Sequence, residues 1–245
     1  VMNSFRTTQQ MATDPLGLPE GINFGSYQKA WITASFETYF LNSMFVTITS
    51  VFIGTAVSLM AAYVFARSKR RVFAILEGLF LPGLLLPFFL AILPIFYLFD
   101  ALGLISNLWG LIAVYSALSI PFSSFILAAF FRQLPIDLEE AARIDGAGYF
   151  RTFFSILLPL VRPAIATVVV FRFVPIWNDF FYPLMLMRDR AAYTLPVGLT
   201  RFFGEYQTDW ATLFAGLTIT TIPLIILFIV ASKQLVSGLT AGMSK

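Results

Sequence analysis

The side chains able to do chemistry are few, and their types narrow what the chain can do. Neither histidine nor cysteine occurs among the 245 residues. That removes thiol nucleophiles, imidazole acid–base work, disulfides and ordinary zinc or haem ligation, so no catalytic residue and no metal site is expected. No Gly-Lys dipeptide occurs, so a phosphate-binding G-x-x-x-x-G-K-[ST] loop is impossible here. If ATP drives this protein, another chain supplies the ATPase. Among the polar residues within apolar runs, those singled out for chemistry are Glu77, Tyr115, Ser119, Arg172, Trp177, Asn178 and Asp179. An arginine at mid-bilayer costs roughly 2.5–3.5 kcal/mol on insertion scales, so Arg172 should face a protein interior or a wet cavity. It could bind solute hydroxyls or an acidic group, or it could bond carbonyls freed near Pro175 or pair with an acid on a partner. Tyr115 and Ser119, four apart on one helical face, could line a pathway or bond a neighbour. Trp177 and Asn178 could also line a pathway, or Trp177 could be an interfacial belt residue.

The elements that must carry these residues are membrane spans. The chain is 58% hydrophobic and 12% charged, with a mean hydropathy of +0.83, where a soluble domain carries about a quarter charged residues. About 20 helical residues cross a bilayer, and unpaired backbone groups are not tolerated in lipid, so an all-α membrane protein is expected. Five spans are visible, at about Phe40 to Ala66, Val72 to Phe99, Leu108 to Phe131, Leu158 to Met187 and Ala211 to Ala231. Prolines 82, 87, 94, 175 and 223 lie inside them, tolerable where neighbouring helices take up the freed carbonyls. The residues Val1 to Phe5 read as the tail of a further span.

Orientation follows from the basic residues. One set of connections holds Arg67, Lys69, Arg70, Arg71, Arg132, Arg143, Arg151, Arg162, Lys233 and Lys245; the other holds Arg6, Lys29, Arg188, Arg190 and Arg201. Ten against five places the first set inside. Residues 132–157 and the C-terminus are then cytoplasmic, and residues 1–39, 100–107 and 188–210 face outward. The net charge of +3 sits at the ends of apolar runs, so it marks a lipid membrane as the partner and not nucleic acid.

The inner loop holds the most informative pattern, Pro135-Ile136-Asp137-Leu138-Glu139-Glu140-Ala141-Ala142-Arg143-Ile144-Asp145-Gly146, and later Ile156-Leu157-Leu158-Pro159. Asp137 is placed to cap a short helix, with Glu140 three positions on completing a capping box. Gly146 is placed to end that helix in a left-handed turn. Ala141 and Ala142 leave a shallow face on which another protein can pack. A second amphipathic segment follows, with Phe150, Phe153, Phe154 and Leu157 expected on one side.

Glu140, Ala141, Ala142, Gly146, Ile156, Leu158 and Pro159 match every fixed position of E-A-A-x3-G-x9-I-x-L-P, the signature of ABC importer permeases. The stretches Asn42-Ser43, Ala61-Ala62-Tyr63-Val64-Phe65-Ala66-Arg67, Asp145-Gly146-Ala147, Trp177-Asn178-Asp179-Phe180, Pro183-Leu184, Thr194-Leu195-Pro196-Val197-Gly198-Leu199 and Gly238-Leu239-Thr240-Ala241-Gly242 resemble the second permease of maltose-type, carbohydrate-uptake importers. The resemblance implies that residues 1–245 form one type I ABC importer transmembrane domain, preceded by a first span before Val1. The tail Met243-Ser244-Lys245 departs from the Val-Lys-Gly-like ending common in that family.

Further implications concern partners. A second related permease would form the other half of the pathway, and an extracytoplasmic sugar-binding protein would deliver cargo, with the outer loop Arg188 to Trp210 as its contact. Two ATPase subunits would bind ATP and Mg, which this chain would not. Glu140, Ala141, Ala142, Asp145 and Gly146 would couple to those ATPases in a prokaryotic inner membrane. Alternatives are an ABC importer for a non-sugar solute and an ion-coupled secondary transporter, for which Glu77 and Asp179 are the available acids.

Overall fold

The computed structural model describes residues 1–19, 21, 24–33, 35–85, 88–200 and 209–241. The described residues form helices and turns without strands. Among the described residues, three helices are long and apolar enough to cross a membrane unbroken: α1 (Phe36–Arg67), α4 (Leu108–Gln133) and α8 (Trp210–Ala241). They correspond to the first, third and fifth expected spans.

The other two expected spans are interrupted. The second comprises α2 (Arg71–Leu85), a 3-10 turn at Phe88–Ala91 and α3 (Ile92–Ala101), with Leu86 and Pro87 outside the described residues. Pro82 sits within α2, while Pro94 is the third residue of α3, where a missing amide costs no helical bond. The fourth bends by 74° between Tyr149–Leu160 and α6 (Arg162–Asn178). Pro163 lacks the amide that would reach Pro159, and its ring would crowd that carbonyl, so the helix breaks at Val161. Between them, α5 (Asp137–Ile144) forms the loop helix and α7 (Phe181–Leu186) restarts the chain after α6. Phe180 occupies the N-cap of α7, and Asp179 just before it accepts from the amides of Phe181 and Tyr182 at 3.2 and 3.4 Å, holding two of the first free amides.

The chain divides into two compact units. The first comprises Val1–Thr47, Ile92–Ile112 and Pro175–Leu227. Its interior holds Phe36, Tyr39, Trp177, Leu186 and Leu195. Asn42 donates to the carbonyls of Ala191 and Tyr193 at 2.8 and 2.9 Å, and Ser43 Oγ accepts from the amide of Leu195 at 2.8 Å. The Asn42-Ser43 pair and the Thr194–Leu199 stretch, both singled out in the sequence, are therefore one structural device. Asp209 caps α8 through the Thr212 amide at 3.1 Å and also holds Lys29 Nζ at 2.5 Å and Thr8 Oγ1 at 3.1 Å. Burial alone would raise the Asp209 carboxyl, but the hydrogen bonds from Lys29, Thr212 and Thr8 outweigh it and hold the pKa at about 2, against 3.8 ordinarily. A depressed acid stabilises the fold above its unfolded pKa and loses that contribution as pH falls through the folded one. Acid melting between about pH 4 and pH 2 should therefore be shallower in Asp209→Asn than in the parent chain, read by tryptophan fluorescence.

The second unit comprises Ile48–Ala91, Ala113–Val174 and Phe228–Lys245. Its core joins Leu59 and Ala62 of α1, Leu127, Ala128 and Phe131 of α4, and Leu157, Val161, Ala164 and Val168 beyond the loop. α1 and α4 approach closely at Gly54, where an added Cβ would lie 3.0 Å from Ser119 Cβ and 3.3 Å from the Ser116 carbonyl. Small residues at such crossings let helix backbones meet, which is how membrane helices gain packing without a hydrophobic drive.

Of the outer loop, Arg190–Ala192 forms a 3-10 turn and Leu195–Leu199 a short helix. Gly204, Tyr206 and Thr208 of that loop lie outside the described residues, as do Gly242 and Met243-Ser244-Lys245 of the tail.

Candidate functional site

The loop helix α5 is built differently from a capping box. Pro135 and Ile136 already turn the chain, and Ile136, in helical conformation, occupies the N-cap with no side-chain cap bond. The first amides, of Leu138, Glu139 and Glu140, donate to the carbonyls of Pro135 and Ile136. Asp137 therefore does not cap; with Glu139 and Glu140 it puts negative charge on the first turn, where the helix dipole favours it. The other end is as expected. Gly146 has φ +78°, its amide reaches the Arg143 carbonyl at 3.0 Å, and the Ala147 amide reaches Ala142 at 2.8 Å. Both bonds of the Schellman motif are present, and only a residue tolerant of the left-handed region can make them at low cost.

The buried acid is Glu139, not Glu140. Glu139 is 4% exposed. Its Oε1 accepts from Arg67 Nε at 2.6 Å and its Oε2 from the Tyr63 hydroxyl at 2.9 Å. Arg67 Nη2 also donates to the Leu134 carbonyl at 3.0 Å, so one guanidinium joins the end of α1, the end of α4 and α5. The Tyr63 ring packs edge-on to Phe131 and Phe153, which stack on each other. This cluster was not among the residues the sequence singles out for a site. The signal was present: Tyr63 and Arg67 stand four apart, on one face of α1.

Glu140, Ala141, Asp145 and Gly146 are exposed. Ala142 is 4% exposed and faces its own chain, which corrects the expectation that both alanines present an outer face. One helical step of about 100° separates neighbours, so adjacent alanines cannot both point outward from a helix fixed on one side. Ile144, Tyr149 and Phe150 are largely exposed beside the acids, and Arg143 stacks over Tyr149 at 5.4 Å. The expected one-sided aromatic segment is split. Phe153 and Leu157 pack on the core while Phe150 and Phe154 are exposed, because Thr152–Leu157 is π-helical and its wider turn rotates the faces. An open cavity of about 480 Å³ lies between these elements, bordered by Tyr63, Arg67, Glu139, Glu140, Arg143 and Tyr149.

The pathway candidates do not converge. Trp177 is 1% exposed, donates to the Thr220 carbonyl at 3.0 Å and packs on Phe40, so it is an interior anchor and neither a belt residue nor a pathway lining. Tyr115 and Ser119 are buried, and Ser119 Oγ donates to the Tyr115 carbonyl at 2.6 Å, at the close α1–α4 crossing. They serve helix packing. Asn178 is exposed. Arg172 is half-buried over the Phe122 ring at 4.6 Å, without an ion pair among the described residues. Glu77 pairs with Arg132 at 2.5 Å and Asp179 holds the first amides of α7, so neither acid offered for a proton relay is idle.

Residues 54–240 match the family of binding-protein-dependent transport system inner membrane components. The chain belongs to that family. The match takes in α5, Gly146, the Tyr63–Arg67–Glu139 cluster and most of the second unit. This permease is 36% identical over 244 residues to the diacetylchitobiose uptake system permease protein NgcG of Streptomyces coelicolor, covering 99% of the chain and 81% of the relative. It is 31% identical to the multiple sugar-binding transport system permease protein MsmG of Streptococcus mutans, covering 100% of the chain and 89% of that relative. Its fold matches a chain from a crystal structure of a bacterial ABC transporter involved in import of the acidic polysaccharide alginate, with TM-score 0.81 and 23% identity over 95% of this chain and 87% of the other. The permease is thus an inner-membrane component of a transport system that works with a solute-binding protein, with the all-helical fold of an ABC importer permease. Membership removes the ion-coupled carrier as a reading.

Proposed function

We propose that the permease is half of the membrane pathway of an ATP-driven importer for a sugar or oligosaccharide, docked to a separate ATPase through residues 132–157. The observation that carries this is the exposed cluster of Glu140, Ala141, Ile144 and Asp145 on α5 and its C-cap, with Tyr149 and Phe150 at the start of the next helix, on a loop helix otherwise fixed to its own chain. An apolar centre rimmed by charge is what a partner surface requires. Glu140 meets a basic side chain of the ATPase, and the cavity beside it admits a partner side chain. The ATPases hold ATP and Mg, a second permease completes the pathway, and the whole chain is one transmembrane domain. Residues 132–157 and the C-terminus are cytoplasmic, residues 1–39 extracytoplasmic, and the outer loop receives the binding protein.

Sugar as cargo is supported by the relatives' names, diacetylchitobiose and multiple sugars among them. Arg172 and Asn178 are the pathway candidates that remain, and the Arg172 guanidinium suits hydroxyl or carboxylate groups on a sugar. The complex, reconstituted in vesicles with its binding protein and ATPase, should take up diacetylchitobiose or another oligosaccharide with ATP, and neither glutamine nor phosphate. Uptake of glutamine or phosphate with no sugar uptake would favour the non-sugar importer.

A further inference from the structure

We infer that Tyr63, Arg67 and Glu139 form a buried clamp that fixes the docking helix to span α1, so that movement of the loop is passed to the span without slack. The inference rests on the docking reading above and extends it from the surface that meets the partner to the joint behind it. Most of the residues in and around α5 face outward, yet α5 itself is only eight residues long and carries one deeply buried acid. A helix that short has little stability of its own and takes its position from tertiary contacts.

Here those contacts are directional. Both oxygens of Glu139 are used, one by Arg67 at 2.6 Å and one by Tyr63 at 2.9 Å. Tyr63 and Arg67 lie one turn apart on α1, so the carboxylate is held at two points along that helix and cannot pivot about either. Arg67 adds the Leu134 carbonyl, tying down the chain just before α5. Behind α5, the stacked Phe131 and Phe153 wedge the Tyr63 ring. Charge-assisted bonds to a carboxylate that is itself buried are short and strongly oriented, which makes the joint stiff where apolar packing alone would let the helix roll. Glu139, Arg67 and Tyr63 are positioning residues. They act on transport through α5 and touch neither cargo nor nucleotide.

The test uses the absence of native cysteine. Cysteines replacing Asp137 on α5 and Phe52 on α1, both exposed, take spin labels, and the distance distribution between them is read by pulsed electron resonance. The unmutated clamp should give one narrow distribution that does not shift when ATP and vanadate trap the complex. Glu139→Ala should broaden it at least twofold, and Glu139→Gln, which keeps the shape and can still hydrogen-bond both partners, should restore most of the narrowness. A purely structural role would lower the melting temperature of the Ala variant and leave the width unchanged. If Glu139→Ala does not fold, Tyr63→Phe removes a single hydroxyl and should broaden the distribution measurably. Unchanged width in the variants that fold, or a shift in the unmutated pair on trapping, overturns the clamp. ATPase co-purification is scored on the same samples. Its failure in the unmutated complex would sink the docking reading, while the width comparison, which needs no ATPase, still judges the clamp.

Discussion

Gly146→Pro should insert into the membrane and fail to hold the ATPase, with co-purified ATPase falling at least tenfold. Gly146 sits at φ +78°, and proline fixes φ near −65°. The substitution also removes the amide that reaches the Arg143 carbonyl, and with it the turn that sends the chain back through Ala147 to Ala142. The combined local cost is on the order of 3 kcal/mol or more, larger than an eight-residue helix can absorb. A graded series isolates the cause. Nothing lies within 4 Å of a Cβ added at 146, so Gly146→Ala meets no steric conflict and carries only the left-handed backbone penalty of about 1–2 kcal/mol. Docking should therefore fall in the order Gly, Asn, Ala, Pro. Glu140→Lys, which leaves the fold alone and reverses an exposed charge, should weaken docking by an interfacial repulsion of a few kcal/mol. Equal docking by Ala and Pro variants would mean the turn is not what positions the surface.

The second large effect is on stability. Gly198→Ala should lower the melting temperature of the permease in detergent more than any other single methyl addition at a described glycine of the first unit outside the turn at Gly103. A Cβ at 198 would fall within the Tyr39 ring, 2.7 Å from Cε2 and 2.8 Å from Cγ, and Tyr39 is 1% exposed, with no room to swing. Overpacking of this kind costs about 1–3 kcal/mol and sometimes more. Gly83→Ala, whose Cβ meets Pro121 at an ordinary 3.7 Å, is the control and should be nearly silent. Trimming the ring in Tyr39→Leu should partly rescue Gly198→Ala, since residues in contact are not additive. Absence of rescue would place the damage elsewhere.

Particular residues explain what could be read in advance. Gly146 was legible because a glycine eight to ten residues after a helix-starting cluster has one economical use, a left-handed stop. The unbroken spans were legible because length and apolar content alone specify them. The 74° break at Val161 was hidden, since prolines are common in membrane helices and whether one breaks a helix depends on the neighbours that rescue its carbonyls. Which of two adjacent acids is buried depends on helix phase, and phase depends on where the helix begins. Ile136, not Asp137, occupies the cap, and Glu139 turns inward to a partner 72 residues away in sequence. Trp177 was misplaced for a related reason: a run apolar on all sides carries no periodicity to say which face meets protein. Asn42 and Ser43 stood out by resemblance, but their partners at 191–195 lie about 150 residues on, beyond the reach of local pattern.

The central claim is that the face carrying Glu140 and Ile144 meets an ATPase. The most direct measurement is cross-linking from a single cysteine introduced at Ile144, 87% exposed in an otherwise cysteine-free chain. In native membranes a short thiol-reactive photo-cross-linker at 144 should capture the ATPase subunit, and ATP with vanadate should change the yield, while a cysteine at Phe52, exposed in the middle of span α1, should not capture it. Capture at 52 and not at 144, or equal capture at both, would contradict the account.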